Sequence, residues 1–173
     1  MKPDANAHPD RVGTGNAMRR QTKLERWVYG MTLGRSCGEC RECCIVPKIE
    51  EFDKPARSPC RHLCTAGCGI YADRPTVCSN FQCWWLEGQF KEEHRPDKSG
   101  IIVHGSSDAT RAQIPFPHAL VNSRFSEQEL ERSRSWQEIR SWLEAHGQAV
   151  VLDAAGLNPG ECVVFRPKTV RQR

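Results

Sequence analysis

The 173-residue chain has room for one domain, or one domain plus a small metal-organised module, and excludes a large two-domain enzyme. An apolar fraction of 38%, a mean hydropathy of −0.62, and 13 glycines with 11 prolines leave only a modest hydrophobic core for this length. The net charge of +4 is unevenly spread: residues 1–36 hold seven Lys/Arg against three Asp/Glu, residues 166–173 hold four and no acid, and residues 37–165 carry −4, which argues against a broad basic face for nucleic acid.

Residues 1–35 read as a disordered basic arm whose plain role is a solvated tail. Within it, Met18 to Met31 can form a short helix, because Leu24, Trp27 and Val28 fall on one face at spacings of three and four. The opening stretch MKPDANAHPDRVGTG has no apolar run, so no secretory signal is expected. No later segment approaches the roughly 18 apolar residues that a membrane span needs. A cytoplasmic, reducing location follows as the expectation.

Residues 36–105 form the expected cysteine-cluster, metal-binding module, with the thiols concentrated between Ser36 and Leu86. Loops folded around metal are expected there. Ser58-Pro59 and Gly67 look like the cap, first-turn proline and terminal glycine of a two-turn helix. A second short helix is expected from Pro75. Residues 106–165 form a C-terminal α+β portion packed on the module. Ile101–Gly105, Gln148–Leu152 and Glu161–Phe165 read as strands of a small antiparallel sheet, with a turn over Gly156–Gly160. One helix from Ser126 to His146 is expected to cover that sheet, started by the Ser126/Glu129 capping box and stopped by Gly147, with Trp136, Ile139 and Leu143 facing inward. Residues 166–173 are a basic tail. The fold class is α+β, an irregular thiolate module followed by a helix-covered sheet.

Nine of the ten cysteines lie between Cys37 and Cys83. Cys37, Cys40, Cys43 and Cys44 place four thiols within eight residues, and Cys60, Cys64, Cys68, Cys78 and Cys83 follow. Two cysteines separated by two residues can wrap one tetrahedral metal, since the intervening backbone bends round the ion and turns N–H groups toward sulfur. Adjacent Cys43 and Cys44 point differently and can serve two metals. Eight thiols could complete two four-coordinate sites, pairs from the first half completed by pairs from the second, or hold one iron–sulfur cluster with thiols to spare. The competing readings are disulfides and plain buried thiols, which the reducing compartment disfavours. The metal itself could be purely structural, a staple for a weak core. The run differs from a bacterial ferredoxin, because Cys44 follows Cys43 with no spacer.

The order CxxCxxCC, then Cys60-x-x-Leu63, then Cys68-Gly-Ile-Tyr71-Ala-Asp-Arg74-Pro75-Thr-Val-Cys78-Ser-Asn-Phe81-Gln-Cys83, resembles the bacterial YkgJ-like family, described as zinc- or iron-chelating proteins. The likeness runs on through Trp84-Trp85-Leu86 and Arg95–Gly100, covering about Cys37 to His104. It implies a ligand set of Cys37, Cys40, Cys43, Cys44, Cys60, Cys68, Cys78 and Cys83, supported by Tyr71 and Arg74. Flagellin lysine methylases carry a similar cysteine segment, but this chain is short for an added methyltransferase domain.

Cys64 is a possible extra ligand, and Cys162, in an expected strand, reads as a small buried core residue. Arg74 could neutralise thiolates. His62 could replace one as ligand, but six scattered histidines with no paired spacing argue against it. Trp84 and Trp85 are expected to shield sulfur by packing. No GxGxxG, P-loop or His-Glu-x-x-His occurs, and no catalytic pair stands out. The expected function is a zinc- or iron-binding protein with a structural or metal-handling role and a possible protein partner. The alternative is an iron–sulfur redox or protein-modification accessory; a zinc-ribbon-like nucleic-acid binder rests on the basic arms alone.

Overall fold

The computed structural model of the chain describes residues 34–105, 114, 116–158 and 160–167. The expected helix over Met18–Met31 and most of both basic arms lie outside the described residues. The chain runs through α1 (Glu42–Ile45), a 3-10 turn (Glu50–Phe52), β1 (Leu63–Cys64), β2 (Gly67–Cys68) and α2 (Thr76–Ser79). A second 3-10 turn (Glu92–His94) and α3 (Pro96–Ser99) lead into β3 (Ile101–Gly105) and β4 (His118–Ser126). Helices α4 (Glu127–Glu131) and α5 (Arg134–Ala145), then β5 (Ala149–Ala155) and β6 (Val163–Phe165), complete an α+β fold.

The main sheet has the order β3-β4-β5-β6. It is mixed rather than wholly antiparallel: β4 and β5 run parallel, while β3 with β4 and β5 with β6 are antiparallel. The parallel pair follows from α4 and α5 lying between the two strands, which lets β5 return in the same direction. Its sequence, AVVLDAA, carries apolar residues at successive positions, as an interior strand buried on both faces requires. Strand β4 was not among the expected strands, because Asn122, Ser123 and Arg124 break its apolar alternation.

Alternation along the paired strands puts Ile101, Val103, Ala119, Val121, Val150, Leu152 and Ala154 on one face. That face meets Leu130, Trp136, Ile139 and Leu143, all at most 1% exposed, in a single core cluster. The expected single helix is two. Ser126 starts α4 with a complete capping box, and Ser133 starts α5 by accepting from Trp136 N–H, so the second serine cap ends the first helix. Gly147 follows α5 with φ of +66°, a left-handed turn that glycine allows without a Cβ penalty.

The opposite face carries His104, Asn122 and Asp153 as a polar ladder. His104 Nε2 and Asn122 Oδ1 are 2.8 Å apart, and Asn122 Nδ2 donates to Asp153 Oδ2 at 3.0 Å. Arg57 closes the ladder by an ion pair with Asp153 and by donating from Nε to Ser123 O at 3.0 Å. The cysteine module is therefore fastened to the sheet through polar groups. Among the described residues, no helix is long and apolar enough to cross a membrane.

Candidate metal centre

The Cys37–Cys40 segment closes on itself, Cys40 N–H donating to Cys37 O at 2.8 Å. Helix α1 then carries Cys43 and Cys44, and Val46, fully buried, roots its end. The chain doubles back through the 3-10 turn so that Cys60 N–H donates to Cys44 O at 2.9 Å. Where the sequence suggested a two-turn helix after Ser58, the structure has a tight hairpin: Leu63 pairs with Cys68 and Cys64 with Gly67. Gly67, at φ of +119°, opens β2 directly after the Thr65–Ala66 turn rather than ending a helix. Pro75 precedes α2, as expected, and α2 presents Cys78. Cys83 follows, next to Trp84, whose N–H donates to Val103 O at 2.7 Å and ties this end of the module to β3.

All ten cysteines are free thiols. The eight expected ligands share one electrostatic neighbourhood. Cys37 feels Cys44; Cys40 feels Cys37; Cys43 feels Cys44, Cys37 and Cys40; Cys78 feels Cys44, Cys60 and Cys68; Cys83 feels Cys37 and Cys40. Cys64 is exposed and turns its thiol back to Gly67 O at 3.2 Å. Cys162 is also exposed and lies just outside β6, so it is not the buried core residue expected.

Burial pushes up the Cys37, Cys40 and Cys78 thiols, and Cys83 up to about 12. Cys44 goes the other way, down to about 6, because the Cys43 thiol donates to it and Lys54, Arg74 and Arg41 lie nearby; that donation and burial hold the Cys43 proton on. Backbone N–H groups of Glu42 and Asp97 point to the Cys40 sulfur, and those of Leu86 and Trp85 to the Cys83 sulfur.

Arg74 stands near two of the thiols: its charge acts on Cys37 and Cys44, its guanidinium lies 3.6 Å from the centre of the Tyr71 ring, and its Nε donates to Tyr71 O at 2.8 Å. Tyr71, itself 62% exposed, thus orients the arginine. Lys54 was not singled out from sequence. It is 3% exposed, its ammonium donates to the carbonyls of Ile45, Pro47 and Pro55, and its charge faces Cys43, Cys44 and Cys60. Nothing in its neighbours, Asp53 and Pro55, marks it beforehand. His62 packs edge-on against Phe52. Trp85 is buried in the core and Trp84 packs at its margin, so both act through packing.

These residues fit a thiophilic metal: soft donors, N–H groups aimed at sulfur, and three cations beside the negative charge that ligation would create. Among the described residues, the thiols are not drawn together as closely as Glu93, His94 and Glu138, whose donor atoms lie within 4.8 Å of one another. A tetrahedral zinc–thiolate site has a sulfur–sulfur edge of roughly 3.8 Å, so binding zinc would contract the thiol loops. The Glu93–His94–Glu138 group is already neutralised, Lys91 Nζ lying 3.7 Å from both carboxylates and Arg134 Nε 2.8 Å from Glu138. It reads as an ion-pair cluster. No family model, no curated protein and no solved structure matches this chain.

Proposed function

We propose that this protein binds zinc or iron through Cys37, Cys40, Cys43, Cys44, Cys60, Cys68, Cys78 and Cys83, in a structural or metal-handling role, as a YkgJ-like protein. The observation that carries the reading is the chain of mutual influences that links these eight thiols, with Arg74 near Cys37 and Cys44 and buried Lys54 facing Cys43, Cys44 and Cys60. Burial makes most of these thiols reluctant to ionise alone. A bound divalent cation removes that penalty, because it displaces the protons and supplies the counter-charge. The test is metal analysis by plasma mass spectrometry on anaerobically purified protein, with its visible spectrum. Near-stoichiometric zinc or iron is expected; metal-free protein that fails to take up either would refute the reading.

A second reading, an iron–sulfur redox or protein-modification accessory, is favoured by the N–H groups directed at the Cys40 and Cys83 sulfurs. Such donors set the potentials of iron–sulfur clusters. Iron accompanied by labile sulfide and absorbance near roughly 400 nm would select it; colourless stoichiometric zinc would reject it.

A further inference from the structure

We infer that the eight thiols are divided between two four-thiolate sites, Cys37, Cys40, Cys43 and Cys83 at one and Cys44, Cys60, Cys68 and Cys78 at the other, with the boundary at the Cys43–Cys44 peptide. The division rests on the metal-binding reading above. It differs from the simplest pairing of CxxC halves: each site takes three thiols from one half of the segment and one from the other.

Backbone geometry carries the assignment. Cys37 and Cys40 belong to one closed turn, and Cys43 lies on the helix that follows. Both Cys40 and Cys83 are tied to the β3 side of the molecule, Cys40 by Asp97 N–H on its sulfur and Cys83 through Trp84 N–H on Val103 O. On the other side, Cys60 N–H bonds Cys44 O at 2.9 Å, Leu63 N–H bonds Cys60 O at 2.9 Å, and Leu63 pairs with Cys68 across the hairpin. These links string Cys44, Cys60 and Cys68 together. Most of the mutual influences split along the same line, those of Cys44 on Cys37 and Cys43 crossing it at the boundary. Cys83 feels Cys37 and Cys40, whereas Cys78 feels Cys44, Cys60 and Cys68.

Charge compensation also differs between the two groups. Four thiolates on a divalent ion leave a net charge of −2 that the protein must offset. The first group has backbone N–H donors at Cys40 and Cys83, with Arg74 near Cys37. The second has buried Lys54 facing Cys44 and Cys60, with Arg74 and Arg41 near Cys44. Two adjacent but differently compensated sites follow, meeting where the Cys43 thiol donates to Cys44.

The test is cadmium-113 NMR and metal stoichiometry on the full chain, reduced, metal-depleted and refilled with cadmium, for the wild type and for Cys83→Ser and Cys78→Ser. Wild type should bind two equivalents and give two resonances of equal intensity. Cys83→Ser should shift or remove one resonance and Cys78→Ser the other, each variant keeping at least half of the metal. A single equivalent in the wild type, or both resonances lost in either variant while the main core stays folded, would overturn the division. A wild type that takes up no cadmium, zinc or iron would instead overturn the metal-binding reading beneath it. The wild-type count alone decides between one site and two, so the test survives a variant that does not fold.

Discussion

Removing the Arg124 side chain tests how the thiol module is held to the sheet. Arg124 Nη2 lies 2.8 Å from Glu42 Oε1, and Glu42, on the helix that carries Cys43 and Cys44, is 5% exposed with Oε2 lacking a hydrogen-bond partner. At that distance and an effective dielectric near 20, the gross attraction is about 6 kcal/mol. Arg124 is 42% exposed, so water screens much of it. There is also a ceiling, since Glu42 can protonate instead, which costs a carboxyl of ordinary pKa about 3.5 kcal/mol at pH 7. Arg124→Met should therefore destabilise the metal-loaded protein by about 1–3 kcal/mol, read by urea unfolding at fixed metal load. Glu42→Gln added to that variant should restore part of the loss by removing the stranded charge. The sign with pH is set by burial, which raises the Glu42 pKa while Arg124 opposes the rise. Without Arg124 the folded pKa rises further, so the deficit relative to wild type should be larger at pH 7.5 than at pH 5.5. A deficit under about 0.5 kcal/mol, or a double variant weaker than the single one, would refute this account.

In the metal-free, reduced protein at pH 7, Cys83, packed at the margin of the main core and raised to about 12, should stay unlabelled while the thiols between Cys37 and Cys78 alkylate; peptide mass spectrometry reads the order, and comparable labelling of Cys83 would contradict it. Cys64→Ala and Cys162→Ala should each leave the metal content of the purified protein unchanged, a loss of even half an equivalent counting against the ligand set. Trp136→Ala should cost about 3–5 kcal/mol in urea unfolding, because a 1%-exposed ring that meets Phe165 leaves a cavity the core cannot refill.

The strands β3, β5 and β6, the capping box at Ser126 and the inward face of α5 were legible because each is written in a local pattern of burial or capping. Strand β4 was not, since its buried Ser123 earns its place by donating to Gly100 O and accepting from Phe125 N–H, partners that are distant or invisible in sequence. The parallel pairing was hidden with it. In the cysteine module the residue types were plain and the backbone was not: Ser58, Pro59 and Gly67 suit a helix locally, yet Cys60 is bonded to Cys44 and Leu63 to Cys68. Lys54 escaped for a similar reason, its burial resting on three carbonyls supplied by Ile45, Pro47 and Pro55.

Removal of metal should separate the two halves of the molecule energetically. The main core cluster runs from Trp85 to Ala154, and of the clustered cysteines only Cys83 packs at its margin. Between Cys37 and Cys78 the buried apolar residues are Val46, Ile49 and Cys60, too few to offset the ordering of some forty residues, which costs roughly 1–2 kcal/mol each. Polar clasps at Glu42 and Arg57 fix where the module sits but do not supply that free energy. Lys54 adds to the problem, since its buried ammonium faces Cys43, Cys44 and Cys60 and loses much of its counter-charge when those thiols are protonated. Chelation should therefore raise amide hydrogen exchange over residues 37–80 while β3, β4, β5 and α5 stay protected. Equal protection of residues 37–80 with and without chelator, in protein shown to have lost its metal, would mean that the module is ordered by its own contacts and that the metal serves something other than the fold.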